Sequence, residues 1–205
     1  MFLIVFSACT NNVTTENKNL ISYVNPFVGT GGHGHTYPGA TMPFGMMQLS
    51  PDTRLEGWDG CSGYHYTDQH IYGFSHTHLS GTGILDYGDV LLMPTNEVLF
   101  NNGANGKKGY RSSFSHDNEV ASPGYYAVQL DDTKIDVSLT VSKRSGIHQY
   151  TFPQGSDQVV ILDLVHRDLV IDSGLDLIDK VNVRGYRFSK AWARDQRIFF
   201  DMFFS

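Results

Sequence analysis

Apolar and polar residues alternate most regularly in the second half of the chain. Ile135, Val137, Leu139 and Val141 are separated by Asp136, Ser138 and Thr140. That period of two puts one face of a strand in a core and the other in water. Tyr125 to Leu130 before it and Ile147 to Phe152 after it read as its neighbours. Val159 to Val165 is almost continuously apolar, which predicts a strand covered on both faces. Tyr186 to Trp192 and Arg197 to Phe204 extend the series. The separators, Ser145-Gly146 and Gln154-Gly155 among them, are turn formers, and no stretch joins a helical period to helix caps. The pattern predicts an all-β fold built as a large antiparallel β-sandwich.

Elsewhere the pattern is less regular. Residues 97–122 are polar and turn-rich, and Asn101-Asn102-Gly103 and Asn105-Gly106 are hairpin signals. Residues 21–96 are dense in glycine, histidine and aromatic side chains. At the front, Met1 to Phe6 is apolar, Ser7-Ala8-Cys9 follows, and Thr10 to Asn19 is polar. Residues 1–20 therefore resemble a bacterial lipoprotein signal and tether, with Cys9 as the lipidated residue; the plainer reading is a ragged terminus. At the other end, Phe199, Phe200, Met202, Phe203 and Phe204 crowd the last positions. A sandwich ending there leaves an apolar strand open to aggregation, so residues 21–205 are expected to be a domain truncated at its C-terminal end.

Composition narrows the partners. The net charge is -6 and no basic block is present, which speaks against nucleic acid. No apolar run is long enough to cross a bilayer, so any membrane attachment is expected through a lipid anchor only. Aromatic residues make up 13% of the chain and there are 21 glycines, a mixture that suits strands and tight turns. If Cys9 of the two cysteines is lipidated, Cys61 is a lone thiol.

Candidate chemistry gathers in residues 25–81. The stretch Gly29-Thr30-Gly31-Gly32-His33-Gly34-His35-Thr36-Tyr37-Pro38-Gly39 is either a pocket wall shaped by backbone, carrying His33 and His35, or a structural glycine loop. It lacks the Gly-Lys-Ser/Thr of a phosphate loop. In Gly57-Trp58-Asp59-Gly60-Cys61, an indole beside a carboxylate suits a sugar, one stacking on the ring and the other accepting hydroxyl hydrogens. The alternative is a core Trp with an exposed turn Asp. His76 and His78 fall on one face of a strand and read as zinc ligands or as satisfied polar histidines near a cleft. Asp52, Glu56, Asp59, Asp86 and Asp89 are available for acid–base work, but no spacing selects a pair, and turn or strand-edge acids are the default for each.

Several uncommon motifs occur in one order: Tyr23-Val-Asn-Pro-Phe-Val-Gly-Thr, Gly32-His-Gly-His-Thr-Tyr-Pro-Gly-Ala, Gln48-Leu-Ser-Pro-Asp-Thr-Arg, Gly63-Tyr-His-Tyr, Gly73-Phe-Ser-His-Thr-His-Leu-Ser-Gly-Thr-Gly and Gly185-Tyr-Arg-Phe-Ser. Over residues 21–200 they resemble the N-terminal domain of glycoside hydrolase family 92. The resemblance implies an inverting, calcium-dependent exo-α-mannosidase acting on mannose-containing N-glycans. In that family a β-sandwich precedes a helical-barrel catalytic domain, which this chain is expected to lack. The barrel brings the general acid, the general base and most calcium contacts, so no catalytic residue is assigned to this chain. Trp58, Asp59 and Cys61 match the sugar-facing loop, with Cys61 in the form tied to α-1,2 linkages, and Gly39 and His33 are further substrate-binding candidates. A bacterial lipoprotein in the periplasm or at the outer membrane surface is expected. The rival reading is a free-standing carbohydrate-binding module.

Overall fold

The computed structural model describes residues 19–205, so Cys9 and nearly all of the anticipated signal and tether lie outside the described residues. In chain order the strands are β1 (Ala40–Thr41), β2 (Gln48–Asp52), β3 (His70–Ile71), β4 (Gly73–Ser75), β5 (Leu91–Thr95), β6 (Ser112–Ser122), β7 (Tyr125–Leu130), β8 (Ile135–Val141), β9 (Gly146–Thr151), β10 (Val159–Asp163), β11 (Leu169–Leu177), β12 (Asn182–Lys190) and β13 (Gln196–Phe203). The helical content of the described residues is two short 3-10 turns, Leu20–Tyr23 and Trp58–Gly60.

Two antiparallel five-stranded sheets form a sandwich, ordered β1-β2-β4-β5-β10 and β3-β6-β7-β8-β9. The alternation read from the sequence builds the interface. Leu130, Val128 and Tyr126 of β7 stand opposite Ile135, Val137 and Leu139 of β8, so all six share one face. That face meets Ala40, Leu49, Phe74, Leu91 and Met93 of the other sheet in one core. β6 slips register between Phe114 and Glu119. The irregularity turns Glu119 inward, where it accepts from the hydroxyls of Tyr64 (3.0 Å) and Tyr126 (2.7 Å) and pairs with His116 Nδ1 (2.6 Å). A buried carboxylate is tolerable only with such partners. Burial, reinforced by Glu119, pushes the Tyr64 and Tyr126 hydroxyls well above their ordinary range.

A third sheet, β11-β12-β13, is a separate antiparallel meander. It is joined to the sandwich mainly by polar side chains. Arg187 of β12 is fully buried and pairs with Asp89, while donating to the carbonyls of Leu164 (3.0 Å) and His166 (2.8 Å). Gln196 of β13 donates to the same carboxylate, and Thr77 Oγ1 completes it at 2.6 Å. The backbone N–H of Ala193 donates to Asp86, and that of Tyr87 to Asp168. The far end of the sheet is apolar and open: Phe199, Phe203 and Leu177 are 68%, 74% and 77% exposed.

Four local expectations change. Val159 to Asp163 is an edge strand, half-buried throughout, beside β5, which is the strand covered on both faces. An apolar run records hydrophobicity but not which neighbour it acquires. β6 extends into a stretch read as turns, and β11 was not anticipated, because neither shows clean alternation against one core. The Asn-Gly signals make turns, with Asn101 and Asn105 accepting from the N–H groups two residues on, but these turns close a long loop rather than a hairpin. Asp52, Asp86 and Asp89 are buried, where basic side chains and N–H groups from distant segments meet them.

Candidate functional site

Gly57, at φ 86, turns the chain into the 3-10 turn that carries Trp58 and Asp59. The indole lies across Gly83, where a Cβ would come 2.0 Å from the ring, and Trp58 is 61% exposed. This is a platform open to solvent, not a core Trp. Asp59 stands next to it. His33 Nδ1 pairs with Asp59 Oδ1 at 2.6 Å, and His35 Nε2 lies 3.8 Å from the same oxygen. The His35 ring meets the indole edge-on at 4.8 Å and 81°. The hydrogen bond from His33, then its charge, holds the Asp59 carboxyl below the usual carboxylate range. Asp59 therefore presents an ionised acceptor beside an open aromatic face, which suits a polyhydroxylated ring.

The glycine-rich loop and the Trp58 loop are one surface. Ser62 Oγ donates to the Thr36 carbonyl (2.9 Å), His65 Nε2 pairs with the Gly32 carbonyl (3.1 Å), and the Tyr66 N–H donates to the Thr30 carbonyl (2.9 Å). Gly39 is buried against β2, where a Cβ would stand 2.2 Å from the Leu49 carbonyl, so it sets the approach of the loop to the sheet. The Cys61 side chain lies beneath the loop, 1% exposed, and burial pushes its thiol up. Sequence reading thus singled out Trp58, Asp59 and His33, which the fold brings together, and Cys61 and Gly39, which support them from below.

A charged layer under the loop escaped the sequence reading. Asp52 is fully buried and pairs with His78 Nε2 (3.2 Å) and His166 Nε2 (3.0 Å). Burial alone would raise its carboxyl, but the two histidines outweigh burial and hold it well below the usual range. Gly63, at φ 87, closes over this carboxylate, since a Cβ there would come 2.1 Å from Asp52 Oδ1. Arg167 lies 3.6 Å from Asp52 and donates to the carbonyls of Gly60 (3.2 Å) and Cys61 (3.3 Å), which braces the Trp58 turn from behind. Asp52 and His78 stand inside quoted motifs, but no local signal marks Arg167, more than a hundred residues from the turn it holds.

A cleft of about 490 Å³ opens between Leu55, Glu56, Leu85, Arg167 and Asp168. Burial, followed by the neighbouring Asp86, raises the Asp168 carboxyl to about 7. His76 and His78 do not act as a pair. His78 Nδ1 contacts the Gln48 carbonyl (2.9 Å), whereas His76 bridges the Val90 carbonyl (2.5 Å) and His148 (3.2 Å). Tyr150 OH continues that chain to His148 at 2.8 Å.

The chain belongs to glycosyl hydrolase family 92, whose N-terminal domain description matches residues 23–205. A family GH92 α-mannosidase from Bacteroides thetaiotaomicron superposes with a TM-score of 0.84 at 42% identity, covering 89% of this chain and 25% of that one. Its complex with mannoimidazole gives 0.82 and 40% over the same shares. A family GH92 inverting mannosidase from Bacteroides thetaiotaomicron VPI-5482 matches at 0.69 and 31% identity, covering 83% of this chain and 23% of its own. An uncharacterized secreted glycosidase of Arthroderma benhamiae is 29% identical, covering 71% of this chain and 20% of the relative. The chain thus spans about a quarter of the solved relatives and a fifth of the curated one.

Proposed function

We propose that this chain supplies one wall of the sugar pocket of an inverting exo-α-mannosidase that removes terminal α-1,2-linked mannose from N-glycans. The observation that carries the reading is the exposed Trp58 indole, fixed on Gly83 with ionised Asp59 at its edge. Mannose lies on the indole through its apolar C–H face, and Asp59 accepts from a hydroxyl at the ring edge. Cys61 and Gly39 hold the loops at the height the sugar needs, and the preference for α-1,2 linkages rests on the resemblance of the Cys61 loop.

An inverting hydrolysis needs two carboxyl groups roughly 6.5–9.5 Å apart, one protonating the leaving oxygen and one activating water. In this reading both lie on a second domain that faces Trp58, and the partner surfaces are that domain and a mannose-containing glycan. Among the described residues, no three His, Cys, Asp or Glu side chains converge in a way that could hold a metal ion. Calcium in this reading is held by the second domain, and no step is derived through it. Export as a Cys9-anchored lipoprotein to the periplasm or outer membrane surface of a bacterium completes the proposal; a secreted relative supports the export.

Methyl α-mannoside should change the Trp58 emission of this chain with a midpoint in the millimolar range, and Trp58→Ala should abolish the change. Rapid, calcium-dependent release of mannose by these 205 residues alone would overturn the assignment of a single wall.

A further inference from the structure

We propose that His35 contacts the ligand directly, as the donor that grips one sugar hydroxyl in the angle between its own ring and the Asp59 carboxylate. The inference rests on the reading of Trp58 and Asp59 as a mannose-facing surface. Three independent departures from ordinary packing coincide at His35. Its backbone stands at φ 53, a left-handed conformation uncommon outside glycine. The residue is 7% exposed, and its Nε2 is buried with no hydrogen-bond partner, which leaves the loss of hydration uncompensated. Its ring also touches, edge-on at 4.8 Å, an indole that is itself open to solvent.

The unpaired Nε2 lies 3.8 Å from Asp59 Oδ1, too far for a hydrogen bond. Asp59 is instead engaged by His33, whose side chain is 79% exposed. An ion pair this open to water yields at little cost. When Asp59 turns from His33 toward a sugar resting on Trp58, one hydroxyl oxygen fits within about 2.8 Å of both groups, set to the side of the line that joins them. That oxygen accepts the Nε2 hydrogen of His35 and donates its own hydrogen to Asp59. The ligand class is a hexopyranoside with a free hydroxyl at the edge of its stacked face. His33 then holds the carboxylate only while no sugar is present.

One NMR titration separates this inference from the reading beneath it. The whole chain carries Trp192→Phe, which leaves the Trp58 indole as the single indole signal, and the probe is methyl α-D-mannopyranoside. The expected result is that the Trp58 indole N–H and the His35 ring nitrogens shift together with one midpoint. His35→Asn, a residue that tolerates left-handed backbone, should weaken that midpoint roughly tenfold. If Trp58 shifts while the His35 nitrogens stay still, His35 is a packing residue and the inference falls, with the sugar surface intact. An unchanged midpoint in His35→Asn overturns it equally. If Trp58 does not shift, the sugar surface is wrong and His35 has no ligand to grip.

Discussion

The two-sheet sandwich and the β11–β13 sheet are made of similar residues held in different ways. In the sandwich, Tyr126, Val128, Leu130, Ile135, Val137 and Leu139 meet Leu49, Phe74 and Met93 with almost no exposure. Burial of apolar area is the main stabilising contribution there, at about 25 cal/mol per Å². The three-stranded sheet carries Phe199, Phe200, Phe203, Leu175 and Leu177, yet it is tethered by Arg187, Gln196 and Asp89 at one end. Its apolar residues remain largely in water. Hydrophobic sequence therefore marks where a core is possible, while the partner surface decides whether one forms. A buried ion pair gives a defined attachment but little net stability, because desolvating both charges offsets their attraction.

The largest test of this contrast is Arg187→Ala. Removing the guanidinium leaves Asp89 buried without its cation, at a cost of about 3–5 kcal/mol. Hydrogen exchange should show β11–β13 amides losing protection while β7 and β8 keep theirs. Simultaneous loss in both regions would mean that sheet and sandwich unfold as one unit. Next in size is a pair of truncations. Leu139→Ala should cost about 2–5 kcal/mol in denaturant unfolding, because it opens a cavity in the core. Phe199→Ala, on the exposed sheet, should stay within about 0.5 kcal/mol. Equal costs would show that Phe199 is covered in solution.

A third test is a difference in pH dependence. Burial pulls His76 down from its ordinary 6.5 to about 4, and burial with the charge of His76 pulls His148 down too. Between those values the unfolded chain binds more protons, so the sandwich should weaken as pH falls from 6.5 toward 4, by up to about 3 kcal/mol for His76. Asp168 behaves oppositely. Its carboxyl is raised from 3.8 to about 7, so the folded state binds the extra proton. Its contribution is full below 3.8 and is lost as pH rises through 7. Protection factors of β11 amides, corrected for the intrinsic pH dependence of exchange, should therefore fall between about pH 4 and 7, and Asp168→Asn should flatten that fall. A shared pH profile for both regions would contradict the contrast.

The sandwich was legible because β7 and β8 read as clean alternation, and period two assigns faces directly. Trp58, Asp59 and His33 were legible because an aromatic and an acid among glycines mark a short surface loop. His35 and Asp52 were visible as residue types but not as buried groups. Arg167 carried no signal, since its bonds to Gly60 and Cys61 join segments that only the packing of β10 beside β5 brings together.

Local chemistry along the chain thus determined the β class, the inward faces of the central strands and the loops that carry the indole and carboxylate. Those properties depend on neighbours one to four positions away. Tertiary structure alone decided which apolar strand became an edge, which acids were buried with basic partners, and which histidine kept an unpaired nitrogen beside Trp58. Each of these depends on what a distant segment places opposite, and periodicity holds no record of it.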